Sequence, residues 1–253
     1  MEDLFFEIHK DLPREGPGDR ESTERAFSML SSLPPRPLVL DIGCGPGMQT
    51  LHLARLTRSR VIALDKHQPY IAQLMKRVLK RSHGHKVHAT VADMNTLPFL
   101  DETFDLIWSE GAIYLIGFAN GLRQWKPLLK PEGFLAVTEI TWLDPDPPRE
   151  VKAFWGLHCP AMQGKDQNIQ TVREEGYHPL GTFQLPESAW WKDYYTPLQK
   201  RLTRLRKKYK SDPKALALLD EEQAEIDLYR AYARHYGYVF YVMQRNSGSH
   251  LNY

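Results

Sequence analysis

Only two cysteines, Cys44 and Cys159, occur in 253 residues. Two thiols cannot build a disulfide framework or a four-thiolate metal site. Their scarcity makes a reducing, cytoplasmic setting the expected one. Charge of one sign is missing too. The 33 Lys and Arg nearly balance the 31 Asp and Glu, giving a net +2, so the global field singles out no partner, although a local basic patch stays open. No apolar run reaches the length of a membrane span, because charge or proline interrupts the longest ones. The first ten residues carry Glu2, Asp3 and Glu7, not the basic-then-apolar build of a secretion signal. Five histidines, at 52, 67, 83, 85 and 88, are scattered without ligand spacing; they read as surface or internally satisfied side chains, and no metal is expected.

What is present centres on Val39-Leu40-Asp41-Ile42-Gly43-Cys44-Gly45-Pro46-Gly47-Met48. An apolar run ends in an acid, three glycines alternate, and a helical pattern starts. This is a short buried strand that turns sharply into a helix, with glycines that let a ligand approach the backbone.

The rest of the chain supplies a matching frame. Strands over 38–41, 60–64, 86–92, 104–108 and 134–140 alternate with helices over 48–57, 68–81 and 118–129. Such alternation predicts a parallel sheet covered on both faces. A strand over 176–185 and a final one over 238–244 bring the count to seven, with helices over 149–158, 169–175 and 214–236. The expected fold is therefore α/β, a Rossmann-like, seven-stranded, mostly parallel sheet with helices on both faces and a helical, aromatic cover. We expect one domain over 1–245, with a helical lid in 1–35, a cofactor-binding core in 36–141, an acceptor-side cover within 142–235 and a disordered polar tail over 246–253. In the lid, Gly16-Pro17-Gly18 is either a surface turn or a flap over the loop, with Arg14 available for a carboxylate.

Asp41, Asp65 and Asp93 end three successive strands and should lie along one sheet edge, where open α/β sheets bind ligands. A dinucleotide fingerprint needs a third glycine at position 48, which is Met48, and Asp41 opposes a phosphate. A ligand with an ammonium group and hydroxyls but no phosphate fits better, and S-adenosylmethionine is such a ligand. Asp65 is placed for its ribose hydroxyls and Asp93 for the adenine amino group, with Met94 packing on the ring. Gly43, Cys44, Gly45 and Gly47 complete the loop, and Lys66 and Ser109 are further expected contacts.

With Ala63-Leu64-Asp65, Ala92-Asp93-Met94, Leu97-Pro98-Phe99-x-Asp101-x-x-Phe104-Asp105-x-Ile107-Trp108 and Leu128-Leu129-Lys130-Pro131-x-Gly133, the chain resembles the class I S-adenosylmethionine-dependent methyltransferases. The resemblance is to the small-molecule branch that includes ubiquinone/menaquinone-type enzymes. Gly16-Pro17-Gly18, the run from Trp108 to Tyr114, and Leu185-Pro186-Glu187 are similar to a subgroup of uncharacterised bacterial methyltransferases. The resemblance implies an antiparallel last strand and an S-adenosylmethionine cofactor. It also implies acceptor residues after the fourth strand. There the chain reads Ser109-Glu110-Gly111-Ala112. It lacks the Asn/Asp-Pro-Pro of enzymes that methylate adenine or glutamine nitrogens, the acid cluster of metal-dependent catechol enzymes, and the thiols of arsenite methylation.

Glu110 is the candidate base or substrate contact, with the alternative that it only hydrogen-bonds protein or cofactor. Tyr114 either closes the site or is core. Trp190, Trp191, Tyr194, Tyr195, Phe154 and Trp155 either line an apolar acceptor pocket or pack the cover or a dimer contact, and His158 is a second candidate base. The basic run from Lys200 to Lys210 is expected to be a solvated helix face balanced by the acids from Asp220 to Asp227, so no nucleic acid is expected. The expected function is methyl transfer to a small-molecule acceptor. The rivals are a nicotinamide oxidoreductase, a non-catalytic S-adenosylmethionine-binding regulator and an RNA methyltransferase.

Overall fold

A computed structural model describes residues 2–81 and 86–247. His83, His85 and the expected disordered tail from 248 onward lie outside these residues.

Seven strands are present: β1 (Val39–Ile42), β2 (Val61–Asp65), β3 (Val87–Val91), β4 (Phe104–Ser109), β5 (Leu129–Trp142), β6 (Tyr177–Gln184) and β7 (Tyr236–Arg245). They form one sheet in the order β3-β2-β1-β4-β5-β7-β6. The first five pair in parallel, and β7 runs antiparallel between β5 and β6. All four residues of β1 are buried, which suits a central strand covered on both faces. Its side chains alternate between two cores. Val39 joins Val61, Leu106 and Trp108 on one face, while Leu40 and Ile42 join Leu64 and Ile107 on the other.

The helices are α1 (Glu2–His9), α2 (Arg20–Ser28), α3 (Met48–Thr57), α4 (Gln68–Val78), α5 (Phe118–Trp125), α6 (Arg149–His158), α7 (Lys165–Glu174), α8 (Ser188–Trp190), α9 (Thr196–Lys208) and α10 (Pro213–Tyr232). Among the described residues no helix is long and apolar enough to cross a membrane. Local chemistry sets the ends. Asp19 caps α2 by accepting from the Ser22 amide, and Asp212 caps α10 by accepting from Lys214 and Ala215, with Pro213 in the first turn.

The helix expected over 118–129 stops earlier. Lys126–Leu128 tighten into a 3₁₀ turn with Pro127 inside it, and Leu129 already pairs with Phe104. Between that pair and Leu106 with Phe134 the register shifts. Lys130 to Gly133 therefore form the irregular start of β5 and not a loop before it. The helix expected over 214–236 ends at Tyr232, and β7 begins at Tyr236. The turn between them is held by His235, whose Nδ1 lies 2.7 Å from Asp144 Oδ2.

Strand order reverses between β1 and β4, because β1 sends its chain to β2 on one side while β4 lies on the other. A crevice opens there, outside the carboxyl ends of the strands. The β1–α3 loop enters it. Gly47 sits at φ +83° as the cap of α3, and a Cβ there would lie 2.2 Å from Leu74 Cδ1 of α4. Its task is to let α3 and α4 close together behind the loop. Gly47→Ala should destabilise the protein by about 1–3 kcal/mol through strained backbone and overpacking. Thermal unfolding measures this, and an unchanged midpoint would refute the packing role.

Candidate functional site

The glycine loop and the ends of β2 to β4 border a cavity of about 690 Å³. Gly43, at φ +70°, would place a Cβ 2.4 Å from that of Ala112, so the loop can lie against the segment after β4 only without a side chain. Asp65 ties the loop to β2. Its Oδ2 accepts from the Gly45 amide at 2.9 Å and its Oδ1 from the His67 amide at 2.8 Å. Burial pushes this carboxyl up, against those two amides. Asp93 is in a different setting. It accepts from the Asn95 amide at 2.9 Å and Nδ2 at 2.8 Å, with Lys66 Nζ at 3.2 Å, and these donors hold it down at about 2.

A lid from the N-terminus closes the cavity. Arg14 Nη2 donates to Glu110 Oε2 at 2.5 Å, and Thr23 Oγ1 and Trp108 Nε1 each donate to Glu110 Oε1 at 2.8 Å. The side chains of Arg14 and Glu110 are 5% and 0% exposed. The guanidinium crosses Gly18, where a Cβ would lie 2.2 Å from Nη2. Gly16-Pro17-Gly18 is thus part of a latch. Three donors, one of them cationic, occupy the Glu110 carboxylate. The geometry engages it with the lid at the wall of the cavity.

The far end of the cavity is acidic and phenolic. His9 of α1 places Nδ1 3.0 Å from Glu15 Oε2 and Nε2 3.5 Å from Glu222 Oε1 of α10. Burial opposes a charge on His9, but the hydrogen bonds to Glu15 and Glu222 prevail and raise it to about 9. One helical turn on, Glu225 Oε1 accepts from the Tyr195 hydroxyl at 2.8 Å. Glu225 stays partly accessible and borders the cavity. Burial accordingly pushes its carboxyl up to about 7, despite that hydrogen bond. Tyr114 and Tyr194 line the same end.

Of the expected cofactor residues, Gly43, Cys44, Gly45, Asp65, Lys66, Asp93 and Met94 line the cavity. Asp41, Gly47 and Ser109 do not. Asp41 is fully buried under the loop, where Thr50 Oγ1 of α3 donates to its Oδ2 at 2.5 Å and burial raises it to about 7. Ser109 is buried within β4. Both candidate catalytic residues, Glu110 and Tyr114, line the cavity, and Glu110 also forms the latch. In the aromatic group only Tyr194 reaches the cavity. Trp190 stacks on Tyr229 with ring centroids 4.0 Å apart, Trp155 packs edge-on to Tyr236, and Tyr195 is fully buried beside them. His158 is exposed and stacked on Phe154.

The basic stretch does more than face solvent. Arg206 pairs with Asp220, but Lys208 Nζ and the Tyr209 hydroxyl each donate to Glu7 at 2.6 Å, and Arg201 donates to the Lys10 carbonyl. Helix α9 therefore carries α1. Sequence reasoning gave no site role to His9 or Glu15, read Glu222 and Glu225 only as acids balancing the basic run, and read His67 as a surface or internally satisfied side chain. His67 in fact lines the cavity and stacks on Phe6 with centroids 3.5 Å apart. The three-residue spacing of Glu222 and Glu225, which puts both on one helix face, was the available signal.

The donor set fits S-adenosylmethionine. Among the described residues Arg14 Nη1 and Glu15 Oε1 are buried without a hydrogen-bond partner, the Tyr70 hydroxyl lies near the Glu15 carboxyl, and both Arg14 and Glu15 line the cavity. They are a cation for a carboxylate and an acceptor for an ammonium group, the two ends of an amino acid. Asp65 and Asp93 offer acceptors for hydroxyls and an amino group.

Residues 39–133 match the family model described as a methyltransferase domain. An uncharacterised methyltransferase, YodH, of Bacillus subtilis is 29% identical over 146 residues, 56% of this chain and 61% of that protein. A malonyl-[acyl-carrier protein] O-methyltransferase of a Methylovorus species is 35% identical over 143 residues, 53% of this chain and 46% of that protein. The chain thus spans about half the length of the curated relatives it matches. Among solved structures, a methyltransferase of Geobacter sulfurreducens in complex with S-adenosylhomocysteine shares the fold, with a TM-score of 0.81 at 18% identity, covering 96% of this chain and 98% of that one.

Two outcomes follow from the latch and the His9 bridge. Glu110→Gln leaves the Arg14 guanidinium buried beside a neutral partner, so amide exchange across 14–23 should quicken at least tenfold; unchanged protection would refute the latch. Because His9 titrates higher when folded, its contribution is complete below its ordinary value of 6.5 and is lost as pH rises through about 9. The stability gap between the protein and His9→Asn should therefore shrink over that window in denaturant unfolding, from an initial size on the order of 3 kcal/mol.

Proposed function

We propose that this chain, whose residues 39–133 are a methyltransferase domain of the S-adenosylmethionine-dependent class, transfers the cofactor's methyl group to a small-molecule acceptor bound beneath its lid. One observation carries the reading. A single cavity runs from Gly43 and Gly45 past Ala112 to Tyr114, Tyr194 and Glu225, so donor and acceptor would share one continuous space. Its volume of about 690 Å³ is within the range of small-molecule sites. The Methylovorus relative is named for O-methylation of malonyl-[acyl-carrier protein], which supports methyl transfer as the reaction.

Asp65 would hold the ribose hydroxyls and Asp93 the adenine amino group, with Met94 packing on the ring. Arg14 would hold the carboxylate of the methionine part and Glu15 its ammonium group. When bound, the sulfonium supplies an already activated methyl group. The protein's part is then to align the acceptor with it and to exclude water. Positioning of this kind contributes about 7–11 kcal/mol. The Arg14–Glu110 latch serves the second task, since it fixes the lid over the crevice. Glu110 positions the lid, and the proton chemistry, where an acceptor needs any, belongs to the far end of the cavity.

The regulator reading is disfavoured by the open space beyond Ala112. The RNA reading is disfavoured by the engagement of α9 with α1 and α10. Asp65→Ala should weaken S-adenosylhomocysteine binding at least tenfold by calorimetry while thermal unfolding stays cooperative; unchanged affinity would sink the cofactor assignment.

A further inference from the structure

We infer that the acceptor is an amine, bound as its ammonium ion between Glu225, Tyr114 and Tyr194, and that the Glu225 carboxylate takes the proton the nitrogen must lose before it is methylated. This rests on the methyl-transfer reading above.

The charges around the cavity carry the inference. Arg14 is paired with Glu110, Lys66 with Asp93, and His9 lies between Glu15 and Glu222. Among the described residues Glu225 borders the cavity with no ion pair, and its one hydrogen bond comes from the neutral Tyr195 hydroxyl. His9 acts on it from a distance but is already bridged. A carboxylate or phenolate acceptor would meet Glu222 and Glu225, while His9, the cation at that end, is already bridged by Glu15 and Glu222. An ammonium ion would supply the missing counter-charge, which a buried carboxylate needs.

The phenols agree with this. Tyr194 is 7% exposed and lines the cavity, and its hydroxyl has no hydrogen-bond partner among the described residues. The Tyr114 hydroxyl is likewise without one, and burial raises both phenols, so they stay neutral. Neutral hydroxyl oxygens accept from N–H groups, and phenol faces attract a cation. Burial brings Glu225 to about 7, close to the value at which a carboxylate works as a base near neutral pH.

The step balances. The ammonium gives one proton to the Glu225 carboxylate, which becomes a neutral acid. The freed nitrogen lone pair forms the new N–CH₃ bond as the C–S bond breaks, and that bond's electrons stay on sulfur, which becomes a neutral thioether. The product leaves as the methylated ammonium ion, and Glu225 returns its proton to water.

The test uses the full chain saturated with S-adenosylhomocysteine. A small-molecule cell extract is split by ion exchange into cationic, neutral and anionic fractions, and each is ultrafiltered with the protein. Compounds retained by the protein, identified by mass, should come from the cationic fraction. Glu225→Gln should lower their retention at least tenfold and keep S-adenosylhomocysteine affinity within twofold, which also shows that the variant folds. With methyl-labelled S-adenosylmethionine, label should enter the cationic fraction. Retention or label confined to the anionic or neutral fraction, none in any fraction, or a Glu225→Gln variant equal to the parent overturns the amine assignment alone. A parent protein that binds no S-adenosylhomocysteine overturns the methyl-transfer reading beneath it.

Discussion

The buried contact between Arg14 and Glu110 is the constraint on which the rest of the site depends. It joins a residue 14 positions from the start of the chain to the end of β4, and Thr23 and Trp108 complete it. Two charges with side chains 5% and 0% exposed are tolerated only because every part of the carboxylate is used. The contact sets where the lid lies, and the lid sets the roof of the cavity. It leaves one guanidinium nitrogen, Nη1, without a partner at the cavity wall. One arginine thus both closes the site and offers a contact inside it.

Much of the frame was legible in the sequence. Alternating apolar strands and periodic helices fix a parallel sheet. The acids at 41, 65 and 93 and the glycines at 43 and 45 mark its ligand edge because chain-local rules govern them: a strand end, a tight turn, a close approach. The roles of Asp41 and Gly47 were harder to read. Both have the right spacing, yet one supports α3 through Thr50 and the other makes room for Leu74. Spacing alone does not tell a residue that touches a ligand from one that holds the loop that does.

The acceptor end was barely legible, for a physical reason. It is assembled from His9 on α1, Glu15 in the lid, Tyr114 after β4, Tyr194 in the cover and two glutamates on α10. No short-range pattern links positions separated by as many as 213 residues. Aromatic richness left a pocket lining and cover packing both open. Trp190 and Tyr195 pack against Tyr229, where large rings fill the space between cover and sheet, and a single tyrosine of the group faces inward. Glu110 stood in the position expected of a base, but its neighbours, distant in the chain, turned it into a fastening.

The lid is fastened at two depths, and the two respond differently to the medium. Its outer edge is held by Lys208, 56% exposed, on Glu7; its inner edge is held by charges shut away from water. Dissolved ions screen the first and scarcely reach the second, since the Debye length falls from about 10 Å at 0.1 M to about 3 Å at 1 M. Raising ionic strength should therefore weaken the Lys208–Glu7 pair while the Arg14 contact stays closed. The Tyr209 hydroxyl on Glu7, the buried His9 bridge and Ile8 in the core still hold α1 in place. Salt thus loosens one outer fastening of the lid without lifting the lid itself.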